Sequence, residues 1–175
     1  MIVIVISLPA VAQRIYTKNG SISFFSKSPL EDITAKNNEV MSVIDQQSGD
    51  IQFSVLIKSF RFKKSLMEEH FNENYMESDK FPKAIFKGMI TDVSRVNFST
   101  DGTYPVTVSG DLTIHGVTNK VVSPGAIEVK NGTPTAQSTF NITLADYKIT
   151  IPAVVRNNIA KIIAITISCV YNQKM

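Results

Sequence analysis

Apolar and polar residues alternate with period two along most of this chain. Ile22 and Phe24 alternate with Ser21 and Ser23, and Ile51, Phe53, Val55 and Ile57 with Gln52, Ser54 and Lys58. Further on, Ala84, Phe86, Gly88 and Ile90 alternate with Lys87 and Thr91. Val106, Val108, Gly110, Leu112 and Ile114 alternate with Thr107, Ser109, Asp111 and Thr113. Phe140, Ile142 and Leu144, then Ile163, Ile165 and Ile167, complete the series. Successive side chains of a strand point to opposite faces, so this pattern predicts strands with one buried and one wet face. Turn-forming groups recur between the runs: Lys18-Asn19-Gly20, Lys36-Asn37-Asn38, Ser48-Gly49-Asp50, Asp101-Gly102, Pro124-Gly125, Asn131-Gly132 and Asn157-Asn158. About eight short, closely spaced strands predict an all-β fold, an antiparallel eight-stranded barrel, because closure removes exposed sheet edges. Gly88 and Gly110 fall on the inward parity, where a strand glycine marks a bend or a close approach to the backbone.

One segment breaks the alternation. Residues 68–82 predict a short helical or irregular insert that lays Phe71, Tyr75, Met76 and Phe81 against one end of the barrel. Phe24, Phe53, Phe86 and Phe140 share the inward parity on different strands and would converge. The candidate cavity is therefore lined by Phe24, Ile51, Phe53, Val55, Ile57, Phe71, Tyr75, Phe81, Phe86, Leu112, Phe140, Ile165 and Ile167. Pockets for apolar ligands are mostly hydrophobic with few polar groups. Plain core packing uses the same residue types, and an eight-stranded barrel can either fill its interior or hold one small ligand. The pattern alone leaves both outcomes open.

Composition narrows the function classes. At 175 residues with 43% apolar content, the chain has ample core for one domain. The net charge is +3, and the cations are scattered apart from Arg61, Lys63 and Lys64. No basic stripe interleaves with stacking aromatics, which argues against a nucleic-acid partner. Cys169 is the only cysteine, so no internal disulfide forms, and its place among isoleucines reads as a small buried hydrophobe. The run Met1-Ile2-Val3-Ile4-Val5-Ile6-Ser7-Leu8, followed by Ala10-Val11-Ala12, reads as a signal-peptide remnant over residues 1–12, leaving a barrel domain over 13–175. It is too short to span a bilayer, so no transmembrane segment is expected, and the location it suggests is periplasmic or secreted. The competing reading is a buried first strand.

Catalytic chemistry finds little support. His70 and His115 have no partners at metal-ligand spacing. No G-x-S-x-G elbow, C-x-x-C pair, phosphate-cradling glycine loop or dinucleotide fingerprint is present. Glu69 and His70 could pair as acid and base, but acids near a helix start are favourable without any catalysis. His115 reads as a turn-stabilising group, and Glu73, Glu77 and Asp79 as a solvated face. No enzyme, metal or cofactor is expected.

Two blocks carry a family likeness. Gly110-Asp111-Leu112-Thr113-Ile114-His115-Gly116-Val117-Thr118 resembles the hairpin signature of YceI-like proteins, and residues 70–86 resemble the same family's insert, in which a helix and a Phe-Pro pair precede the next strand. The likeness covers roughly residues 14–171. It implies an extended, lipocalin-like barrel, usually periplasmic, that holds a polyisoprenoid or related amphiphilic, fatty-acid-like lipid without catalysis. The family's F-x-V-x-H and Gly-Phe turn are not matched by residues 23–31, which leaves a second reading, an interaction or structural module with a self-filled barrel. A homodimer is compatible with either. Burying ~400 Å² of an isoprenoid chain at ~25 cal/mol/Å² yields about 10 kcal/mol gross. Association costs of roughly 4–15 kcal/mol oppose it, so only a long tail in a preformed cavity would hold. A polar head would need a donor or cation near the mouth, for which Arg14, Arg61 and Tyr75 are the candidates.

Overall fold

A computed structural model describes residues 14–27, 29 and 32–175. The apolar run at residues 1–12 lies outside the described residues. Ten strands form one sheet: β1 Arg14–Ser26, β2 Ile33–Asp45, β3 Asp50–Leu56, β4 Arg61–Phe62, β5 Lys83–Ile90, β6 Gly102–Ile114, β7 Val117–Lys130, β8 Thr133–Thr143, β9 Ile162–Val170 and β10 Gln173–Lys174. The order is β10-β1-β9-β8-β7-β6-β5-β3-β2-β4, and β1 also pairs with β2. Setting aside the two-residue strands β4 and β10, the other eight close into an antiparallel barrel through pairs such as Ile15↔Ile44 and Phe24↔Ala35. The alternation thus folds as it reads, with the even positions of β5 and β6 facing inward.

The turn signals divide into two kinds. Gly49, His115-Gly116 and Asn131-Gly132 do reverse the chain, and the two pairs adopt positive φ at both residues (51° and 73°, 50° and 71°), the conformation that matches the twist of a two-residue hairpin. Asn19-Gly20, Asn37-Asn38 and Pro124-Gly125 instead lie inside strands. At Gly20 the β1–β2 register slips, and a Cβ there would sit 3.1 Å from the Val40 carbonyl oxygen. Asn37 is fully buried, its Nδ2 donating to the Leu56 carbonyl at 2.9 Å. The register shifts around Gly20 and Asn37 curve the wall of a closed barrel, whereas Pro124-Gly125 keeps the β6–β7 register unbroken.

Gly88 and Gly110 face each other across β5 and β6. A Cβ at Gly110 would lie 2.8 Å from Phe86 Cζ, so the Phe86 ring rests across the glycine pair instead of projecting to the barrel axis.

The insert begins as helix α1, Ser65–His70, and continues as one π-helical turn, Phe71–Tyr75. Glu68 has a specific task. Its carboxylate accepts from Arg61 Nη1 and from the Phe62 backbone amide, each at 3.1 Å, tying the helix to β4. At the opposite end of the barrel Ile15, Val40, Ile44, Ile90, Ile127, Val129 and Tyr171 pack with no more than 2% exposure. The Tyr171 hydroxyl donates to Ser42 Oγ at 2.7 Å, and Ser42 in turn donates to the Gln52 carbonyl at 2.8 Å.

Candidate ligand-binding cavity

The half of the barrel under the insert is hollow. A cavity of about 470 Å³ runs from a floor at Val40, Ile127 and Ala136 to the insert and to Val155, Asn158 and Ile159. This volume falls in the range of small-molecule sites, ~300–1,000 Å³. Phe71 roofs it, because the π-helical turn swings its ring onto three others. The ring stands 5.4 Å from Phe24, 5.6 Å from Phe60 and 5.0 Å from Phe62. Deeper in, Phe53 and Phe86 meet at 6.1 Å. Phe53, Phe86 and Phe140 have the inward parity yet remain only partly buried, since each also borders the void.

Of the residues proposed from sequence, all except Phe81 border this void: Phe24, Ile51, Phe53, Val55, Ile57, Phe71, Tyr75, Phe86, Leu112, Phe140, Ile165 and Ile167. Phe81 lies elsewhere. Its amide closes a turn onto the Glu77 carbonyl at 2.9 Å, which carries the ring past the barrel mouth to the β6–β7 hairpin. There it meets the His115 ring edge-on at 4.7 Å and covers Gly116. Sequence reasoning missed Ile33, Phe60, Phe62, Met67, Val155 and Ile159. Phe60 and Phe62 did carry a signal, alternation across Arg61; Val155 and Ile159 lie in or beside a 3-10 segment, Ala153–Asn158, that has no period-two pattern.

Among the described residues no Asp, Glu, Lys or Arg lines the cavity, as an apolar interior requires of groups that are costly to desolvate. The polar groups that reach it are few and mostly engaged. Ser26 Oγ accepts from the Ala160 amide at 2.9 Å, and Ser123 and Ser138 bond each other at 2.8 Å. Burial raises the Tyr75 hydroxyl above its ordinary pKa. Of the proposed head-group residues only Tyr75 borders the void. Arg14 pairs with Asp45 at 3.3 Å near the packed end, and Arg61 holds Glu68.

His115 acts as a latch. Its Nε2 lies 2.7 Å from Glu77 Oε2 and its Nδ1 3.3 Å from the Tyr147 carbonyl, joining the insert, the β6–β7 hairpin and the chain after β8. Glu77 therefore makes a specific contact as well as facing solvent, while Asp79 is exposed, as expected, and pairs with Lys58 at the surface. Burial pushes the Cys169 thiol up to about 12, so it stays protonated and unreactive. Among the described residues no group of three or more His, Cys, Asp or Glu side chains could hold a metal ion, and no helix is long and apolar enough to cross a membrane.

A closed eight-stranded barrel, packed at one end and hollow and apolar at the other, defines a lipocalin-like cavity protein. The family model described as YceI-like domain matches residues 13–171, and the chain belongs to that family. No curated protein matches it. Among solved structures it is similar to a polyisoprenoid binding domain from Saccharophagus degradans implicated in plant cell wall breakdown. That likeness has a TM-score of 0.79 at 15% identity and covers 91% of this chain and 97% of the other. It is similar also to Burkholderia cenocepacia BcnA (TM-score 0.73, 17% identity, 87% and 96% covered). A Campylobacter jejuni YCEI protein follows (TM-score 0.57, 14% identity, 100% and 92% covered). At these identities the likeness shows the fold.

Proposed function

We propose that the protein binds and sequesters an amphiphilic lipid with a long apolar tail, a polyisoprenoid or a fatty-acid-like chain, without catalysing a reaction on it. The observation that carries this reading is the hollow cavity of about 470 Å³, lined among the described residues by no Asp, Glu, Lys or Arg. A barrel that only displayed its outer surface to a partner would have no reason to leave this interior unfilled, because voids forfeit dispersion contacts. The Saccharophagus degradans domain of the same fold is described as polyisoprenoid binding, which supports this ligand class. A periplasmic or secreted location, reached through the apolar segment at residues 1–12, fits a carrier of this kind. The test is organic extraction of the purified protein followed by mass spectrometry. Recovery of a stoichiometric long-chain lipid is expected. An extract free of lipid, together with no uptake of cis-parinaric acid by the extracted protein, would sink the proposal.

A further inference from the structure

The barrel wall is not zipped along its whole length. The β7–β8 ladder runs from Lys130↔Thr133 to Gly125↔Ser138 and stops. Beyond that point, among the described residues, residues 117–124 of β7 pair only with β6, and residues 139–143 of β8 only with β9. The two strands fork. At the apex the Ser138 hydroxyl donates to the Pro124 carbonyl at 2.8 Å and accepts from the Ser123 hydroxyl, also at 2.8 Å, in place of ladder bonds. At the base Asn119 Nδ2 donates to the Asp146 carbonyl at 2.8 Å, fastening the turn Leu144–Tyr147 against β7. Between apex and base the fork is filled by side chains alone, with Val121, Phe140, Ile142 and Leu144 packed against Tyr147 and Ile149.

The cavity reaches this fork. Val121, Ser123, Phe140 and Ile142 line it from within, and Ala126 and Gln137, which sit at the apex with outward parity, border the same void. Just outside, Val122 is 72% exposed. The barrel mouth is built differently. There the insert is held by the Arg61–Glu68 ion pair, by the Glu77–His115 contact and by the Phe71 ring among Phe24, Phe60 and Phe62. Opening the mouth breaks all of these, whereas parting β7 from β8 breaks no strand ladder.

We propose that the fork between β7 and β8 is a lateral gate through which the apolar chain of an amphiphile enters and leaves the cavity, its polar end remaining outside. The gate rests on the lipid-holding reading above and adds the route. An apolar chain can slide between Val121 and Phe140 by displacing side chains of its own polarity. At the apex the Ser123 and Ser138 hydroxyls and the Gln137 amide can bond a polar head.

Cross-linking tests the gate. Continued past its end, the β7–β8 register would set Val122 opposite Asn141, and both are exposed. A Val122→Cys/Asn141→Cys protein is closed with a short bismaleimide; native Cys169 is fully buried and stays unlabelled. Glu128→Cys/Thr135→Cys, which faces itself across the zipped part of the same ladder, receives the same reagent. Release of cis-parinaric acid is timed for each before and after cross-linking. The expected result is release slowed by about tenfold or more across the fork, with the zipped pair unchanged. Equal rates in the two proteins would overturn the gate and direct traffic to the mouth under the insert. Binding with an unaltered rate condemns the gate alone, whereas native protein that never takes up the acid condemns the ligand reading with it.

Discussion

Away from the insert, Ile15, Ile44, Ile90 and Ile127 meet across the barrel axis and leave almost nothing exposed. Under the insert, side chains of the same inward parity fail to meet. The difference lies in how each half disposes of its bulk. Branched aliphatic residues on the packed side project to the centre and interlock. On the hollow side Phe86 lies along the wall over Gly88 and Gly110, while Phe24, Phe60, Phe62 and Phe71 gather into one cluster at the roof. Ala84, Ser123, Gly125, Ala136 and Ser138 then add little volume to the remaining perimeter. Large rings need not fill a barrel; turned flat or stacked on one another, they line it.

Four perturbations would break or sharpen this contrast. The largest effect is expected from Ile44→Ala, which removes fully surrounded atoms and should cost ~2–5 kcal/mol in urea denaturation, with fatty-acid affinity unchanged. The double variant Phe53→Ala/Phe140→Ala should cost less than the ~3–5 kcal/mol usual for one buried phenylalanine, because much of each ring already faces a void. It should weaken binding of cis-parinaric acid by about tenfold or more, roughly 1.4 kcal/mol, while the far-ultraviolet circular dichroism stays that of a β-sheet. Unaltered affinity in the folded double variant would remove these rings from the pocket. Next, His115→Ala unfastens the insert from Tyr147 and Glu77 at a cost of about 1–2 kcal/mol. Hydrogen exchange should speed up over residues 65–81 and stay unchanged in β1, β2 and β9.

The smallest effect concerns acid. Backbone amides of Ser48 and Gln47, with Arg14 alongside, hold the Asp45 carboxyl below its ordinary value against the opposing pull of burial. A folded pKa below the unfolded one means the contribution is complete above pH ~4 and fades as the pH falls through the folded value, when the unfolded chain is already protonated. The thermal midpoint should therefore drop more steeply below pH ~4 in the native protein than in Asp45→Asn.

Much of the wall was legible in the sequence, since one buried and one wet face leave a period of two in any strand. The lining was legible for the same reason: Ile51, Phe53 and Val55, or Ile165 and Ile167, share a parity and so a face. Three things were not. Asn-Gly and Pro-Gly pairs read as turns, but a barrel also spends them on bulges and on the β7–β8 fork, and the pair itself carries no record of which. The void was hidden because inward phenylalanines look alike whether they meet at the axis or lie against glycine. The fork was hidden because periodicity reports which face a residue takes, not whether a neighbouring strand is present beside it.

The plugged base has one more consequence. A pocket with a floor is a gauge: it accommodates a tail only down to Val40, Ile127 and Ala136, and any further carbons must double back or trail outside. Across a homologous series of ligands, tightness of hold should climb with each added unit, then level off at the length that touches bottom.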